Sequence, residues 1–393
     1  MPDTIAHVSF SRSGGAGSVA NILAEEQVRQ GQDSRLYSVI ESTLRRTPLS
    51  APLHTVSAAI DEYLVKNKNF DAPISMLRDV SPGIAIEKLS HASVIHLHGI
   101  NGAISLNALQ LLSHKARLVW TLHDMNPFTG TCHYSLGCSR FVEGCQECPA
   151  VRSPFRQSVS KNLQLKKNSL REFTNLAVVS PSSWLANQAS MSAVMADTPI
   201  VVIPNPVAPE YFEKRKEISD NRESLSAIVV AQNLSDPVKN VRSAVDAFLE
   251  TTQDTPFARL TLVGKGGDEF RGPGIHHAGA VGKNELVELY RQADVLLVPS
   301  LAENAPLVIA EAAASGCRSF VSDAGGMGEM VQLIGAGETF SSTRELVKLL
   351  GQIPELSQNH KRALRKTATA GAMKHFSPEA VVAKYGKVYA ENR

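Results

Sequence analysis

Short apolar runs alternate with amphipathic stretches along most of the chain, and this alternation predicts the fold. In the first half the apolar runs predict strands at IAHVSF, SRLYSVI, SVIHLHG, RLVWTLHD, LAVVSPS and IVVIPN. A helix is predicted over SVANILAEEQVRQ, because Val19, Ile22, Leu23 and Val28 lie on one side of it. Strands that alternate with helices are typical of βαβ units and a parallel sheet. Residues 41–90 show no such pattern.

The same alternation restarts after a polar segment. PEYFEKRKEISDNRESL has no apolar period and predicts a linker, which strands at LSAIVVAQ, LTLVG, HHAGAV, VLLVPS and RSFVSD follow. Helices are predicted at NVRSAVDAFLETT, at KNELVELYRQA, around Glu311 and at SPEAVVAKYGKVYAEN. We therefore predict two Rossmann-like α/β domains, 1–208 and 225–372, joined by a linker at 209–224. A C-terminal helix within 373–393 is expected to cross back to the first domain.

Composition and charge narrow the class of protein. The chain has 393 residues, 43% hydrophobic and 20% charged, as expected for globular domains with sizeable cores. A net charge of +2 and the lack of a basic-aromatic surface argue against nucleic acid as a partner. No run approaches the roughly 20 apolar residues that span a bilayer, and the start of the chain lacks the pattern of a signal peptide. We expect a cytoplasmic protein.

Two acids surround the start of a predicted helix in SLAENAPLVIAEAAASG. Glu303 lies in a loop after the strand VLLVPS, Glu311 lies eight positions further along, and Pro306 suits a first helical turn. This Glu-x7-Glu motif, together with IPNPV, GGMGEM and the terminal VYAEN, resembles the retaining glycosyltransferase family 4, whose members have the GT-B fold. The resemblance implies two Rossmann-like domains that face a deep cleft. It also implies transfer of a sugar from a nucleotide diphosphate sugar to a hydroxyl acceptor, with retention.

The resemblance assigns roles to individual residues. Glu311 would bind the ribose hydroxyls, Glu303 the hydroxyls of the donor sugar, and Lys239 the departing diphosphate. His123, in TLHD, would lie near the reacting sugar, so the predicted catalytic residues are His123, Lys239 and Glu303. The predicted donor-binding residues also include glycines, main-chain groups and side chains around the motifs: Gly15, Gly17, Asn233, Lys239, Gly279, Val281, Glu303, Asn304, Ala305, Pro306, Leu307 and Glu311.

Some of these assignments have alternatives. The family usually has an arginine shortly before its lysine, but this chain has Gln232 and Asn233 there, so Lys265 or another cation would have to compensate. That departure keeps open a nucleotide-sugar-binding or catalytically silent partner protein. Other GT-B reactions, such as those of a phosphorylase or a 2-epimerase, are also open. The glycines of SRSGGAG also fit a simple strand-to-helix turn, and His98 is as compatible with a structural role as with a functional one. Since no Asp-x-Asp motif occurs, we expect no catalytic metal.

Four of the five cysteines lie in one short insert, residues 129–150. Their spacing is C-x5-C-x6-C-x2-C, in which Cys145 and Cys148 form a half-site that tetrahedral zinc prefers and the other two thiolates complete the shell. The segment has few apolar residues to order it by packing. We expect structural zinc bound by Cys132, Cys138, Cys145 and Cys148. Disulfides and free thiols are the alternatives, and His133 is a substitute ligand. A similar segment occurs in family members that build polysaccharides, which implies that the acceptor is a glycan or a lipid-linked glycan.

A basic stretch follows the insert. Its six basic residues lie among apolar ones with almost no acids: Arg152, Arg156, Lys161, Lys166, Lys167 and Arg171. The pattern fits either a solvated helix face or peripheral contact of 152–171 with an anionic membrane surface or a lipid-diphosphate acceptor. In the second case the protein would lie at the inner face of the cell membrane.

Overall fold

The computed structural model describes residues 4–39, 59–76, 84, 86–213, 225–253 and 258–391. These residues belong to two units: residues 1–205 with 381–393 form the first, and residues 206–380 form the second. Most of the segment 41–90 that has no sequence pattern, and the predicted linker beyond residue 213, lie outside the described residues. Within the described ranges, no helix combines the length and the apolar character needed to cross a bilayer.

The first unit has a six-stranded parallel sheet with the strand order β2-β1-β3-β4-β5-β6. Its strands are β1 (Thr4–Ser9), β2 (Asp33–Ser38), β3 (Val94–Leu97), β4 (Arg117–Thr121), β5 (Leu176–Ser180) and β6 (Ile200–Val202). Its helices are α1 (Gly14–Arg29), α2 (Leu106–Ser113), α3 (Arg156–Glu172) and α4 (Ser183–Met191). Every residue of β3 and β4 is buried, which is why both strands appear in the sequence as continuous apolar runs.

The second unit also has six parallel strands, in the order β12-β11-β10-β7-β8-β9. They are β7 (Ser226–Asn233), β8 (Arg259–Lys265), β9 (Ile275–Gly279), β10 (Val295–Val298), β11 (Arg318–Ser322) and β12 (Gly337–Phe340). Its helices are α5 (Val241–Thr251), α6 (Lys283–Gln292), α7 (Leu307–Ala314), α8 (Met327–Ile334), α9 (Thr343–Gly351) and α10 (Gln358–Phe376), followed by α11 (Pro378–Ala390). Phe248 and Phe320 belong to its core, where burial of each side chain contributes roughly 2–3 kcal/mol.

The last helix, α11, contributes to the first unit from residue 381 onward. Its Tyr385 hydroxyl is hydrogen-bonded to Thr121 Oγ1 at 2.8 Å, and its Tyr389 hydroxyl is 2.8 Å from His96 Nδ1. Both tyrosines are fully buried. Side chains from the end of the chain therefore complete the polar interior behind β3 and β4.

Each sheet has one position where the order of its strands reverses. In the first unit this position lies between β1 and β3, and in the second it lies between β7 and β10. The loops that follow such neighbouring strands leave in opposite directions, which opens a crevice at the carboxyl ends of the strands. Functional residues are therefore expected near residues 9–13 and 98–102 in the first unit, and near 233–240 and 299–306 in the second.

Candidate functional site

The first unit has a cavity of about 320 Å³ at its strand-order reversal. The loops after β1, β3 and β4 form much of its wall. Phe10 N donates to Gly99 O at 3.2 Å, which joins the first two of these loops. The side chains in the wall are both apolar and polar, and they include Phe10, Ile100, Asn101, Trp120, His123 and Asp124. Such a mixture suits a ligand that has both flat apolar faces and hydroxyl groups.

His123 follows β4 and lines this cavity, as its sequence position suggested. Burial lowers the pKa of His123 to about 4, although the neighbouring Asp124 carboxylate opposes the shift. The imidazole is therefore neutral at neutral pH. His98, for which the sequence left two roles open, is fully buried and hydrogen-bonded to His123 and to His7, so it lies behind the cavity wall. His7 was not predicted as a neighbour of these histidines, because nothing in IAHVSF indicates which side chains it faces.

Asp124 and His133 form an ion pair in the same cavity wall. His133 Nδ1 lies 2.7 Å from Asp124 Oδ2, and His133 Nε2 lies 2.9 Å from Ser75 Oγ. Burial alone would raise the pKa of Asp124, but His133 and the backbone amide of Asn126 outweigh it, and the pKa is lowered. Since both nitrogens of His133 have a protein partner, His133 is not arranged to replace a cysteine as a metal ligand.

The cysteines of the insert are free thiols, and within the described residues the four are not drawn together into a metal-ligand group. Burial raises the pKa of Cys132 to about 12 and that of Cys145 to about 11, and charge on the other cysteines of the insert adds to both shifts. The insert also contains three of the four non-glycine residues with positive φ in the described chain: Leu136, Cys145 and Glu147. Such backbone costs roughly 1–2 kcal/mol per residue, so something besides local preference holds the segment in this shape.

The basic stretch is not a single charged face. Lys166 is buried, and its Nζ atom donates to the backbone oxygens of Asn126 and Thr129 at 2.6 and 2.9 Å. Arg156 donates to Glu147 Oε2 at 2.6 Å. The expectation that Lys166 adds to a membrane-facing charge is therefore wrong, because its position on α3 faces the insert. Exposed basic side chains in this stretch include Arg152, Lys161 and Arg171.

In the second unit the loops after β7 and β10 are joined by hydrogen bonds. Leu301 N donates to Val238 O at 2.8 Å, and Asn240 Nδ2 donates to Pro299 O at 3.1 Å. These contacts bring Lys239 and Glu303 into a direct ion pair. Glu303 is 5% exposed, so its carboxylate depends on this ammonium group for compensation. Two of the predicted catalytic residues are thus in contact, whereas His123 belongs to the first unit.

The loop after β11 supports Glu303 from its backbone side. Gly326 N donates to Glu303 O at 3.0 Å. Gly325 has a φ of +67°, and a Cβ atom there would lie 1.8 Å from Glu303 O, so only glycine fits. The glycines of GGMGEM therefore allow the backbone to pack directly under the acid.

Helix α7 begins immediately after this acid. Pro306 is its N-cap, with extended backbone, rather than a residue of its first turn as expected. No side chain of the described residues caps the helix. Ile309 N donates to Pro306 O at 3.2 Å, which leaves the amides of Leu307 and Val308 as those available to an anion. Asn304 is buried, and Ala305 is partly exposed just before the helix.

Glu311 lies one turn along α7, beside the phenol groups of Tyr211 and Tyr290. Burial raises the pKa of its carboxyl to about 7, although Lys283 and the two tyrosine hydroxyls lower it. The carboxyl is therefore about half charged at neutral pH. The tyrosines were missed at the sequence level because they come from separate segments, the 3-10 helix Pro209–Phe212 and α6.

The other predicted donor-binding residues lie at strand ends or at a helix start. Asn233 is exposed at the end of β7, in register with Lys265 of β8, so the two occupy the same edge of the sheet. Gly279 ends β9 with a φ of +70°, and Val281 follows two residues later. Gly15 and Gly17 lie in the first turn of α1, which begins earlier than the sequence predicted. A Cβ atom on Gly17 would lie 2.2 Å from Ser11 O, whereas one on Gly15 would meet open space.

Each of the two units matches a model of a known protein family. Residues 13–211 match the family model described as Glycosyltransferase Family 4, and residues 226–356 match the model described as Glycosyl transferases group 1. The putative colanic acid biosynthesis glycosyl transferase WcaC of Escherichia coli is 24% identical over 365 residues, which cover 88% of this chain and 89% of WcaC.

Two solved structures are similar over nearly the whole chain. The structure of Anabaena HepE with UDP-glucose has a TM-score of 0.61 and 15% identity, covering 98% of this chain and 99% of HepE. Sucrose-phosphate synthase of Thermosynechococcus elongatus has a TM-score of 0.65 and 16% identity, covering 98% of both chains. At such low identity the likeness shows the fold, and it confirms the predicted GT-B class of α/β architecture.

Proposed function

Because the chain belongs to glycosyltransferase family 4, we propose that it transfers a sugar from a nucleotide diphosphate sugar to a hydroxyl group, with retention at the anomeric carbon. The observation that carries this proposal is the Lys239–Glu303 ion pair beside the uncapped start of α7. It combines a cation, an acid and helix amides at the strand-order reversal of the second unit. A diphosphate bonded to a sugar needs these three kinds of group.

In this proposal the donor is held by groups of the second unit. The Glu311 carboxylate accepts hydrogen bonds from the ribose hydroxyls, as acids do in dinucleotide folds. The Lys239 ammonium and the first amides of α7 bind the diphosphate and stabilise its negative charge as the bond to the sugar breaks. Phosphate oxygens compete with Glu303 for Lys239, so donor binding leaves Glu303 able to accept hydrogen bonds from the sugar. Lys265, in register with Asn233, would supply the charge of the family's missing arginine.

Retention follows from transfer on one face of the sugar, in which the leaving phosphate takes the proton of the acceptor hydroxyl. No second acid pairs with Glu303 in the manner of glycosidases among the described residues, since its partner is Lys239. His123 would meet the sugar or the acceptor as a neutral imidazole. Gly15 and Gly17 remain predicted donor-binding residues, and Gly17 has a packing role besides.

The insert is proposed to hold a structural zinc ion through Cys132, Cys138, Cys145 and Cys148. Charge on other cysteines of the insert helps to raise the pKa of Cys132, Cys145 and Cys148, and this effect supports the proposal together with the positive-φ turns around them. Zinc would stabilise the thiolate forms that burial disfavours, and its binding energy would offset the backbone cost. The shell would be closed, so it orders the insert rather than taking part in transfer.

The acceptor is proposed to be a growing glycan or a lipid-linked glycan. The similarity to WcaC, whose name refers to colanic acid biosynthesis, supports a role in polysaccharide or glycoconjugate biosynthesis. Peripheral contact with an anionic membrane surface would involve the exposed residues Arg152, Lys161 and Arg171. If this contact exists, the protein sediments with anionic liposomes at low salt, and changing the three residues to Gln abolishes sedimentation. Wild-type protein that stays in the supernatant contradicts the contact.

Donor turnover tests the proposed function. The protein is incubated with UDP-, GDP-, ADP- and TDP-sugars, and free nucleoside diphosphate is measured for wild type, Glu311→Ala and Glu355→Ala. Slow release from one donor that Glu311→Ala abolishes and Glu355→Ala preserves supports the proposal, because Glu355 is an exposed acid of the same unit. Silence with every donor, together with no donor binding by calorimetry, contradicts it and favours a catalytically silent partner.

A further inference from the structure

Residues 59–76 form one side of the cavity in the first unit. Asp61, Ser75 and Met76 line the cavity, and none of the six strands of the sheet includes them. The position of these side chains therefore depends on contacts outside the sheet. We call residues 59–76 the side wall.

The insert holds the side wall at two places. Ile74 forms an antiparallel bridge with Cys132, and Lys66 forms another with Val151, which directly follows the insert. Backbone hydrogen bonds extend both bridges, from Ser75 N to Thr131 O and from Asn67 N to Ala150 O, each at 2.9 Å. The fold of the insert therefore determines where the side wall lies.

His133 of the insert joins the side wall to the loop after β4. Its Nε2 atom lies 2.9 Å from Ser75 Oγ, and its Nδ1 atom lies 2.7 Å from Asp124 Oδ2. Ser75 and Asp124 both line the cavity. One imidazole from the insert thus fixes two sides of the cavity relative to each other.

Lys166 of α3 holds the same two sides through Asn126. Its ammonium group has three N–H donors, and three acceptors lie within reach: Asn126 O at 2.6 Å, Thr129 O at 2.9 Å and Asn126 Oδ1 at 3.3 Å. The Asn126 amide in turn donates to Ser75 O at 3.0 Å and to Thr131 O at 2.7 Å. Lys166 therefore acts on the shape of the cavity, because its donors are used within the protein.

The charged groups of the cavity wall disfavour an anionic ligand. Among the basic side chains that line the described part of the wall, His123 is neutral at neutral pH, and the nitrogen atoms of Lys166 and His133 have protein partners. Asp61 and Asp124 add two carboxyl groups to the same wall. A phosphate or a carboxylate in the cavity would therefore be repelled by acids without an ammonium group to compensate it.

The remaining groups of the wall suit an uncharged sugar ring. Phe10, Met76 and Trp120 supply apolar surface, and Ser75 and Asn101 supply polar groups. A sugar ring has C–H groups on its faces and hydroxyl groups at its edges, which match this mixture. The volume, the lining and the charge of the cavity thus favour the same class of ligand.

We propose that the cavity binds an uncharged sugar unit, and that His133 and Lys166 are positioning residues through which the insert sets the shape of this site. Acceptors that present a neutral sugar fit the cavity, whereas those that present a uronic acid or a sugar phosphate do not. That the bound sugar belongs to the acceptor rests on the proposed function, but the binding of sugar by the cavity does not.

Binding can be measured without a donor. Full-length protein is titrated with methyl glycosides of glucose, galactose, mannose and fucose, and with glucuronic acid and glucose 6-phosphate, by saturation-transfer difference NMR. A weak specific site has a Kd on the order of 1 mM, so probes at about 10 mM fill most of it. We expect at least one neutral glycoside to bind and both anions to remain unbound. No binding of any neutral glycoside, or an anion that binds as tightly as the neutral sugar, overturns the proposal.

Variants locate the site and test the positioning residues. Lys166→Met removes the ammonium group at similar length, and the Kd of the bound glycoside should rise about tenfold, the effect of roughly one hydrogen bond. Lys115→Met is the matched control, because Lys115 is an exposed lysine of the same unit, and it should leave the Kd unchanged. A folded Lys166→Met variant with the wild-type Kd overturns the role of Lys166.

His133→Asn tests the other positioning residue and decides alone if Lys166→Met does not fold. The shorter amide can still donate to Asp124 but does not reach Ser75, so the Kd of the glycoside should rise in this variant as well. Affinity for UDP, measured by calorimetry, should equal that of wild type in both variants. An unchanged Kd for the glycoside, or an equal loss of affinity for UDP, overturns a role confined to the cavity.

Transfer provides a second measurement. With the donor that the turnover assay identifies and the bound glycoside as acceptor, Lys166→Met should raise the KM of the glycoside about tenfold and leave the KM of the donor unchanged. A lower kcat with both KM values unchanged overturns the positioning role, and a bound glycoside that accepts no sugar overturns its assignment to the acceptor. If wild type turns over no donor, the proposed function fails, while the glycoside titrations still decide what the cavity binds.

Discussion

The raised pKa of Glu311 predicts that nucleotide affinity depends on pH. If the ribose hydroxyls are bound by the carboxylate, binding requires the deprotonated form and releases a proton from the protonated one. With a pKa of about 7, about one carboxyl in eleven is charged at pH 6 and about ten in eleven at pH 8. The affinity for nucleoside diphosphate should therefore rise about tenfold between pH 6 and pH 8, which corresponds to about 1.4 kcal/mol.

Isothermal titration calorimetry measures this effect. UDP serves as the first probe, and it is replaced if the donor panel selects another base. At pH 7 about half a proton should be released on binding, which appears as a dependence of the heat on the buffer. The terminal phosphate of the probe titrates as well, roughly near pH 6. Glu311→Gln, which keeps the size of the side chain but does not titrate, separates the two contributions.

The comparison between the two proteins decides the outcome. We expect the wild-type affinity to rise with pH more steeply than that of Glu311→Gln, and the variant to bind more weakly at pH 8. Equal slopes for the two proteins would refute the role of Glu311 as the ribose acceptor. Equal affinities at pH 8 would refute it as well, since a charged acceptor contributes about 1.5–3 kcal/mol.

Three further predictions concern packing, metal and charge. Gly17→Ala should lower the free energy of unfolding by about 1–3 kcal/mol in urea denaturation, because its Cβ atom would meet the backbone of Ser11. Gly15→Ala, whose Cβ atom would meet open space, should be neutral or stabilising. Equal losses of stability in the two variants would contradict the close approach at Gly17. Protein purified without chelator should carry about one equivalent of zinc, lost in Cys148→Ser, and less than about half an equivalent in wild type contradicts the site. Lys239→Met should reduce donor turnover about 100-fold, and Lys239→Arg, which keeps the positive charge, should be less affected. An unchanged rate in Lys239→Met rules out a role of Lys239 at the diphosphate.

The strands of both sheets were largely predictable, because strands buried on both faces leave continuous apolar runs such as VLLVPS at β10. Strand β12 was not predicted. It lies at the edge of its sheet, where Glu338 and Thr339 are exposed and interrupt the apolar pattern. The glutamates of the Glu-x7-Glu motif could be located from sequence, since one follows a predicted strand and the other lies in the predicted helix. The ion pair of Glu303 with Lys239 could not, because it depends on the pairing of β7 with β10.

The error at Lys166 is informative, because the signal for its burial was present in the sequence. Val159, Asn162, Leu163 and Lys166 have the spacing of one helix face, and all four are buried. The position of the lysine in the helical period, rather than its charge, decides its burial. Its buried ammonium group donates to the backbone carbonyls of Asn126 and of Thr129, the first residue of the insert.

The hydrogen-bonded cluster around His7, His96 and His98 lay beyond sequence reasoning for a different reason. The pattern HLH on a strand does place His96 and His98 on one face of the sheet. His7 joins them only because β1 pairs with β3 in a register that sets His7 opposite His96. Gln27, which is hydrogen-bonded to His7, comes from a helix, and Tyr389, which is hydrogen-bonded to His96, comes from the far end of the chain. A cluster of this kind depends on topology and register, and no local pattern records either.

The arrangement of α11 has a consequence for the synthesis of the protein. The ribosome produces the whole second unit, residues 206–380, before it produces the tyrosines that complete the interior of the first. Until then, the buried imidazole of His96 lacks its Tyr389 partner and Thr121 lacks Tyr385. The first unit therefore cannot finish folding as it emerges and must wait for nearly all of the chain. A nonsense mutation shortly before codon 385 would leave the sequence of the second unit nearly intact. The first unit would then lack Tyr385 and Tyr389, and the buried side chains of Thr121 and His96 would lose these hydrogen-bond partners.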